Sequence, residues 1–131
     1  MSVSALSKPS YTFSKSERLH SKRKIEELFK KGSSFNFKFF RVILLLQPLA
    51  LGKEVLISVP KKRHKLAVDR NRIKRLIREF YRQNKQLVAS PSNGYLMAIL
   101  YISPQMPTYE EVVTQLTVLF NRLPIDKASI I

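Results

Sequence analysis

Cysteine is absent, so disulfide frameworks, cysteine-ligated zinc and thiol nucleophiles are excluded, and the composition suits a reducing compartment. Acidic residues are scarce: nine Asp and Glu stand against twenty-four Lys and Arg. A self-sufficient nuclease needs carboxylates to hold magnesium, or a histidine pair for acid and base work. Here His20 and His64 lie apart in basic segments, Asp69 reads as a helix cap, and Glu110-Glu111 belong to the start of the last helix. No glycine-rich phosphate loop and no metal-ligand spacing occur. No apolar stretch approaches the ~18 residues that cross a membrane. Met1 to Ser10 lacks the basic cluster and long apolar run of a signal peptide. The expectation is a soluble, cytoplasmic protein with no catalytic side chains and no metal site of its own.

What the chain has in excess is positive charge. A formal net charge of +15 over 131 residues opposes compaction by self-repulsion and points to a polyanion that completes the balance. Nucleic acid is the first candidate and an acidic membrane surface the second. The length fits one domain with a real core. Residues 1–15, Ser-rich and without apolar period, read as a flexible leader; residues 16–124 form the domain and 125–131 a tail.

Ile25, Leu28 and Phe29 recur at helical spacing behind Ser21, a suitable N-cap, and Gly32 ends the run. Phe35 to Leu46 is dense in aromatic and branched side chains and predicts one long strand. Gly52 marks a turn, and Val55, Ile57 and Val59 alternate into a second strand closed by Pro60, so the two strands are expected to pair as a hairpin. After the basic loop from Pro60 to Lys65, Asp69 can cap a helix running to about Leu87. Tyr95 to Ile102 is almost continuously apolar and predicts a strand covered on one face and central or tightly packed, broken by Pro104 and Pro107. Thr108 and Glu111 make a capping box for a last helix to about Leu123, with Val112, Leu116, Leu119 and Phe120 as its apolar stripe. The order α-β-β-α-β-α describes an α+β sandwich of helices on a small sheet.

The central helix carries the functional signal. At 100° per residue, Ile73, Leu76, Ile77 and Phe80 share a sector about 100° wide, the core face. Arg70, Asn71, Lys74, Arg75, Arg78 and Arg82 fall on the opposite side, and only Glu79 lies near enough to offset them. Like charges at i,i+4 cost a few tenths of a kcal/mol each, so folding does not explain the stripe. Arginine predominates, and its planar fork matches pairs of phosphate oxygens. Asn71 can reach a ribose hydroxyl or a base edge, or satisfy nearby backbone instead.

Lys61-Lys62, Ala67-Val68 and the run Arg70-Asn71-Arg72-Ile73-Lys74-Arg75-Leu76-Ile77-Arg78 resemble the signature of the bacterial ribonuclease P protein family. The resemblance extends through Leu19 to Gly32, the Phe40 strand, Ile57-Ser58-Val59, the strand at Tyr95 and Thr108-Tyr109-Glu110, and so covers most of the chain. It implies a two-layer sandwich of a small sheet and three helices, with a left-handed βαβ crossover as in the second domain of ribosomal protein S5. It implies a subunit joined to a catalytic RNA that uses Mg2+ to cut the 5′ leader from precursor tRNA, with no metal bound by the protein and no protein partner. Arg70, Asn71, Arg72, Lys74, Arg75 and Arg78 take the role of contacting the RNA subunit, and Arg82, on the same basic face of the helix, is expected to extend that RNA-binding surface. Lys61 and Lys62 lie where the family keeps a basic loop, and Arg63 and Lys65 beside them in this chain are expected to bind RNA with it.

In the family a cleft between the sheet and neighbouring helices receives the single-stranded leader. Phe29 matches an aromatic position there, although a core role fits it equally. Ile25 stands where many members carry Phe, and Ile43 where some have an exposed tyrosine. Phe37 and Lys38, within the alternating run Phe35-Asn36-Phe37-Lys38-Phe39, suit stacking under single-stranded bases, with core packing or edge exposure as the alternatives. A ribosomal-type RNA-binding protein without processing activity fits the composition as well, and only the ordered motif from Lys61 to Arg78 separates the two. A DNA-binding role lacks a helix-turn-helix, because strands flank the basic helix on both sides. A membrane-surface role is disfavoured because the helix's apolar face is no wider than a core requires.

Overall fold

In the computed structural model, which describes residues 15–125, the apolar segment after Asn93 becomes the centre of a four-stranded sheet. Strands β1 (Ser33–Phe37), β2 (Phe40–Pro48), β3 (Lys53–Ser58) and β4 (Asn93–Tyr101) lie in the order β1-β2-β4-β3. β4 runs antiparallel to β2 and parallel to β3. Helices α1 (Lys22–Lys31), α2 (Ala67–Gln83) and α3 (Tyr109–Arg122) complete an α+β sandwich in the expected order, with the first long strand divided in two.

β4 shows no alternation because both of its faces are covered. Tyr95, Met97, Ile99 and Tyr101 enter the main core with Ile73, Ile77, Phe80 and Tyr81 of α2 and Val112, Leu116, Leu119 and Phe120 of α3. Leu96 and Ala98 point the other way, into a smaller cluster with Leu19, Leu28 and Ile43 beneath α1. Each fully buried aliphatic or aromatic side chain contributes ~1.5–3 kcal/mol, so the two clusters hold the three helices against one sheet.

Three expectations about the elements need correction. The segment from Phe35 to Leu46 is not one strand: β1 and β2 form a hairpin in which Phe37 faces Phe40. The turn between them sits on Lys38, at φ 49°, a left-handed conformation that carries a steric penalty for a side chain. It is held from outside, where the buried Gln115 of α3 accepts a hydrogen bond from the Phe39 N–H at 2.9 Å. The chain does reverse at Gly52 (φ 80°), yet β2 and β3 do not pair, because β4 lies between them. Backbone contact makes that insertion possible. The Tyr95 N–H donates to the Gly52 carbonyl at 3.0 Å, and a Cβ on Gly94 would lie 2.1 Å from that same oxygen.

Helix α2 starts earlier and stops sooner than expected. Its N-cap is Leu66, with no side-chain cap, and Asp69 lies in the first turn. It ends at Gln83, where Asn84 donates from its side chain to the Phe80 carbonyl at 2.9 Å, and a short 3-10 turn over Lys85–Val88 follows. That turn buries Val88 in the main core. The other caps behave as their sequences predict. Ser21 accepts from the Lys24 N–H, the Gly32 N–H closes α1 on the Leu28 carbonyl at 2.8 Å, and Thr108 and Glu111 form a reciprocal capping box.

Candidate RNA-binding surface

The βαβ segment from β3 through α2 to β4 sets α2 on the main core by Ile73, Ile77, Phe80 and Tyr81 and turns its basic residues outward. Leu76, expected fully inside, packs against the core only at its rim and stays half-exposed. Asn71, Arg72, Arg75 and Arg78 are exposed, with Lys74 half-buried beside them. None of these five side chains forms an ion pair or a hydrogen bond among the described residues. Arg82 differs: it pairs with Glu79 one turn back, and this hydrogen bond lowers the Glu79 pKa from its ordinary value and raises that of Arg82.

Arg70 is committed inward. Its guanidinium donates through Nη1 to the carbonyls of His64 at 2.8 Å and Lys65 at 2.9 Å. The buried His64 in turn donates from Nε2 to the Ser103 carbonyl at 2.8 Å. These bonds fix the loop that carries Lys61, Lys62, Arg63 and Lys65, all exposed, against the start of α2. Loop and helix therefore present their cations as one surface. The bracing role of Arg70, and of His64 beneath it, was not visible in the sequence, where both read as members of a charged run.

The residues expected at a leader cleft separate to the two sides of the sheet. Ile25 packs into the smaller cluster beneath α1, and Phe29, on the same helix, is 47% exposed. Phe37 packs against the main core on the opposite face, with Phe35 and Phe39. The Lys38 ammonium lies 5.4 Å and the Arg122 guanidinium 5.0 Å from the Phe37 ring centroid. The structure thus brings Ile25 and Phe29 together and sets Phe37 and Lys38 apart from them. Ile43 is buried beneath α1.

On the α1 side the strand register aligns Asn36, Arg41, Leu100 and Ser58 in one row across the sheet. Arg41 donates from Nε to Asn36 at 3.1 Å. Arg41 and Ser58 were missed as candidates. The alternation of β2, counted from Phe40, would have placed Arg41 on this face.

Among the described residues no group of three or more His, Asp and Glu could hold a metal ion, and no helix is long and apolar enough to cross a membrane. Fold and surface together define a class: a small, basic α+β protein built to present one cationic helix and loop. The chain belongs to the ribonuclease P protein family, whose model, described as Ribonuclease P, matches residues 13–124. A ribonuclease P protein component of Porphyromonas gingivalis is 38% identical over 112 residues, covering 81% of this chain and 82% of that protein. One from Syntrophus aciditrophicus is 33% identical over 113 residues, covering 86% and 92%. Among solved structures, the RNase P protein from Thermotoga maritima superposes with a TM-score of 0.68 at 25% identity, over 82% of this chain and 97% of that one. The Staphylococcus aureus RNase P protein gives 0.62 at 25% identity, over 76% and 88%.

Proposed function

We propose that this chain, a protein component of the tRNA-processing ribonucleoprotein enzyme ribonuclease P, docks on the enzyme's catalytic RNA through Asn71, Arg72, Lys74, Arg75 and Arg78 of α2. Lys61, Lys62, Arg63 and Lys65 of the braced loop extend that surface. The single observation that carries this reading is the set of cations on the outer face of α2 with no partner of opposite charge among the described residues. Docking on polyphosphate supplies that partner and relieves the self-repulsion of a +15 chain. Arg70 contributes by holding the loop, and Arg82, already paired, contributes least.

Chemistry is left to the RNA and its Mg2+. The acidic side chains support this division of labour, because several are engaged in structure. Glu54 is bound to Lys24 at 2.7 Å, Glu17 to Lys85 at 2.8 Å and Glu79 to Arg82, while Glu111 closes the capping box. The precursor tRNA leader is assigned to the α1 side of the sheet, where Phe29 stands exposed near Ile25. The row Asn36, Arg41, Leu100 and Ser58 offers it polar and apolar contacts. Phe37 and Lys38, on the other face, fall outside this path. The family assignment leaves the ribosomal-type reading without support.

Binding of the matching RNA, followed against salt concentration, tests the docking surface. Replacing Arg72, Arg75 and Arg78 together by Gln is expected to weaken binding and to reduce the slope of log K against log salt by about two to three. An unchanged slope refutes the assignment.

A further inference from the structure

Val68, Asp69, Arg72, Arg75 and Leu76 line an open furrow of about 580 Å3 along one flank of α2. Its chemistry differs from the rest of the basic face. Val68 is 70% exposed and Leu76 half-exposed, so apolar surface lies open to water beside Arg72 and Arg75. The Asp69 carboxylate, in the middle of a surface of cations, has no ion pair or hydrogen bond among the described residues. It does not cap the helix either, since that position belongs to Leu66.

A phosphate does not account for this set of groups. It gains nothing from valine and leucine, and a carboxylate repels it. The part of a nucleic acid that combines an apolar face with N–H donors on its edge is an unpaired base. Guanidinium planes and apolar side chains hold such bases out of their stack, and the basic rim is complementary in charge to the strand that carries the base. We infer that the furrow holds one unstacked guanine of the bound RNA. Its face rests on Val68, Leu76 and the aliphatic stem of Arg72, which form one i, i+4, i+8 row along α2 with Arg75 at its side, and its N1–H and N2–H groups donate to the Asp69 carboxylate. Guanine fits best because its two adjacent donors match the two carboxylate oxygens. This inference rests on α2 being the RNA-docking helix, and it adds a base-reading site to a surface otherwise blind to sequence.

Asp69→Ala gives a test whose sign is decisive. Removing a negative charge from a face that meets a polyanion should tighten binding if only charge matters. The furrow predicts the reverse: about tenfold weaker binding of the matching catalytic RNA at fixed salt, with an unchanged salt slope. Val68→Ser, at an exposed position, should weaken binding several-fold and leave Tm within a degree or two. Kethoxal, which modifies the N1 and N2 edge of unpaired guanine, should spare one guanine in the wild-type complex and modify it in the Asp69→Ala complex. Should Asp69→Ala fail to fold, because it also removes a favourable charge from the first helical turn, Val68→Ser and its kethoxal pattern decide the matter. Equal or tighter binding by Asp69→Ala, or no guanine whose protection depends on Asp69 or Val68, overturns the inference. The double variant Lys74→Gln and Arg78→Gln, outside the furrow, separates the two levels. If it weakens binding while the furrow variants do not, only the base site falls; if it too has no effect, the docking surface falls with it.

Discussion

Arg70 reaches back from the first turn of α2 to the carbonyls of His64 and Lys65, so its replacement acts on the loop before it acts on RNA. Arg70→Ala should cost about 1 kcal/mol of stability and speed amide hydrogen exchange at His64, whose N–H bonds to the Pro60 carbonyl. Exchange rates equal to wild type would return Arg70 to the phosphate-binding set. Phe29 poses the opposite question. Its 47% exposure on α1 means that Phe29→Ala removes little core packing. If it touches the leader, the holoenzyme should lose more affinity for precursor tRNA than for mature tRNA; equal losses would contradict that placement. The sequence showed that these residues were unusual but not what each one does. Arg70 and Arg72 differ by two positions on one helix, and only the path of the preceding loop makes one a brace and the other a free cation.

At the scale of elements, β4 couples the two cores, and its Tyr95 hydroxyl lies 3.2 Å from that of Tyr81 on α2. Burial pushes the Tyr81 hydroxyl up to about 12, and it raises Tyr95 further in the same direction. Both folded values exceed the ordinary value of about 10. Above that pH the unfolded chain releases protons that the folded chain keeps, so stability is fully present below pH ~10 and is lost as pH rises through the folded values. Urea midpoints measured from pH 8 to 12 should therefore fall more steeply for the wild type than for a Tyr81→Phe, Tyr95→Phe variant. Parallel curves would show that the pair does not titrate on unfolding.

The same strand explains which elements were legible in the sequence. The apolar run at Tyr95, the capping box at Thr108 and the cap at Ser21 are local signals, and each lies where it was expected. Strand pairing is not local. Gly52 announces a reversal, but nothing near it reveals that β4, about forty residues on, takes the place beside β2. The continuous apolarity of β4 was the available clue, since a strand covered on both faces in the middle of a sheet needs two neighbours. The β1–β2 turn gave no warning, because Lys38 adopts the left-handed conformation where Gly or Asn would have marked it. Its support, Gln115, lies on the last helix.

For the whole molecule the governing fact is charge on a well-packed frame. The cations of α2 and its loop are held by Ile73, Ile77 and Phe80 beneath them and by Arg70 and His64 at their edge. An RNA that binds there meets a surface already in place. The most direct test of that account is reconstitution of the holoenzyme with its matching catalytic RNA at low magnesium, scored for removal of the 5′ leader from precursor tRNA. The wild-type protein should restore cleavage, and the variant with Arg72, Arg75 and Arg78 all changed to Gln should fail to do so at protein concentrations that saturate the wild type, while remaining folded. Equal cleavage with the two proteins would contradict the claim that this face of α2 joins the protein to the RNA.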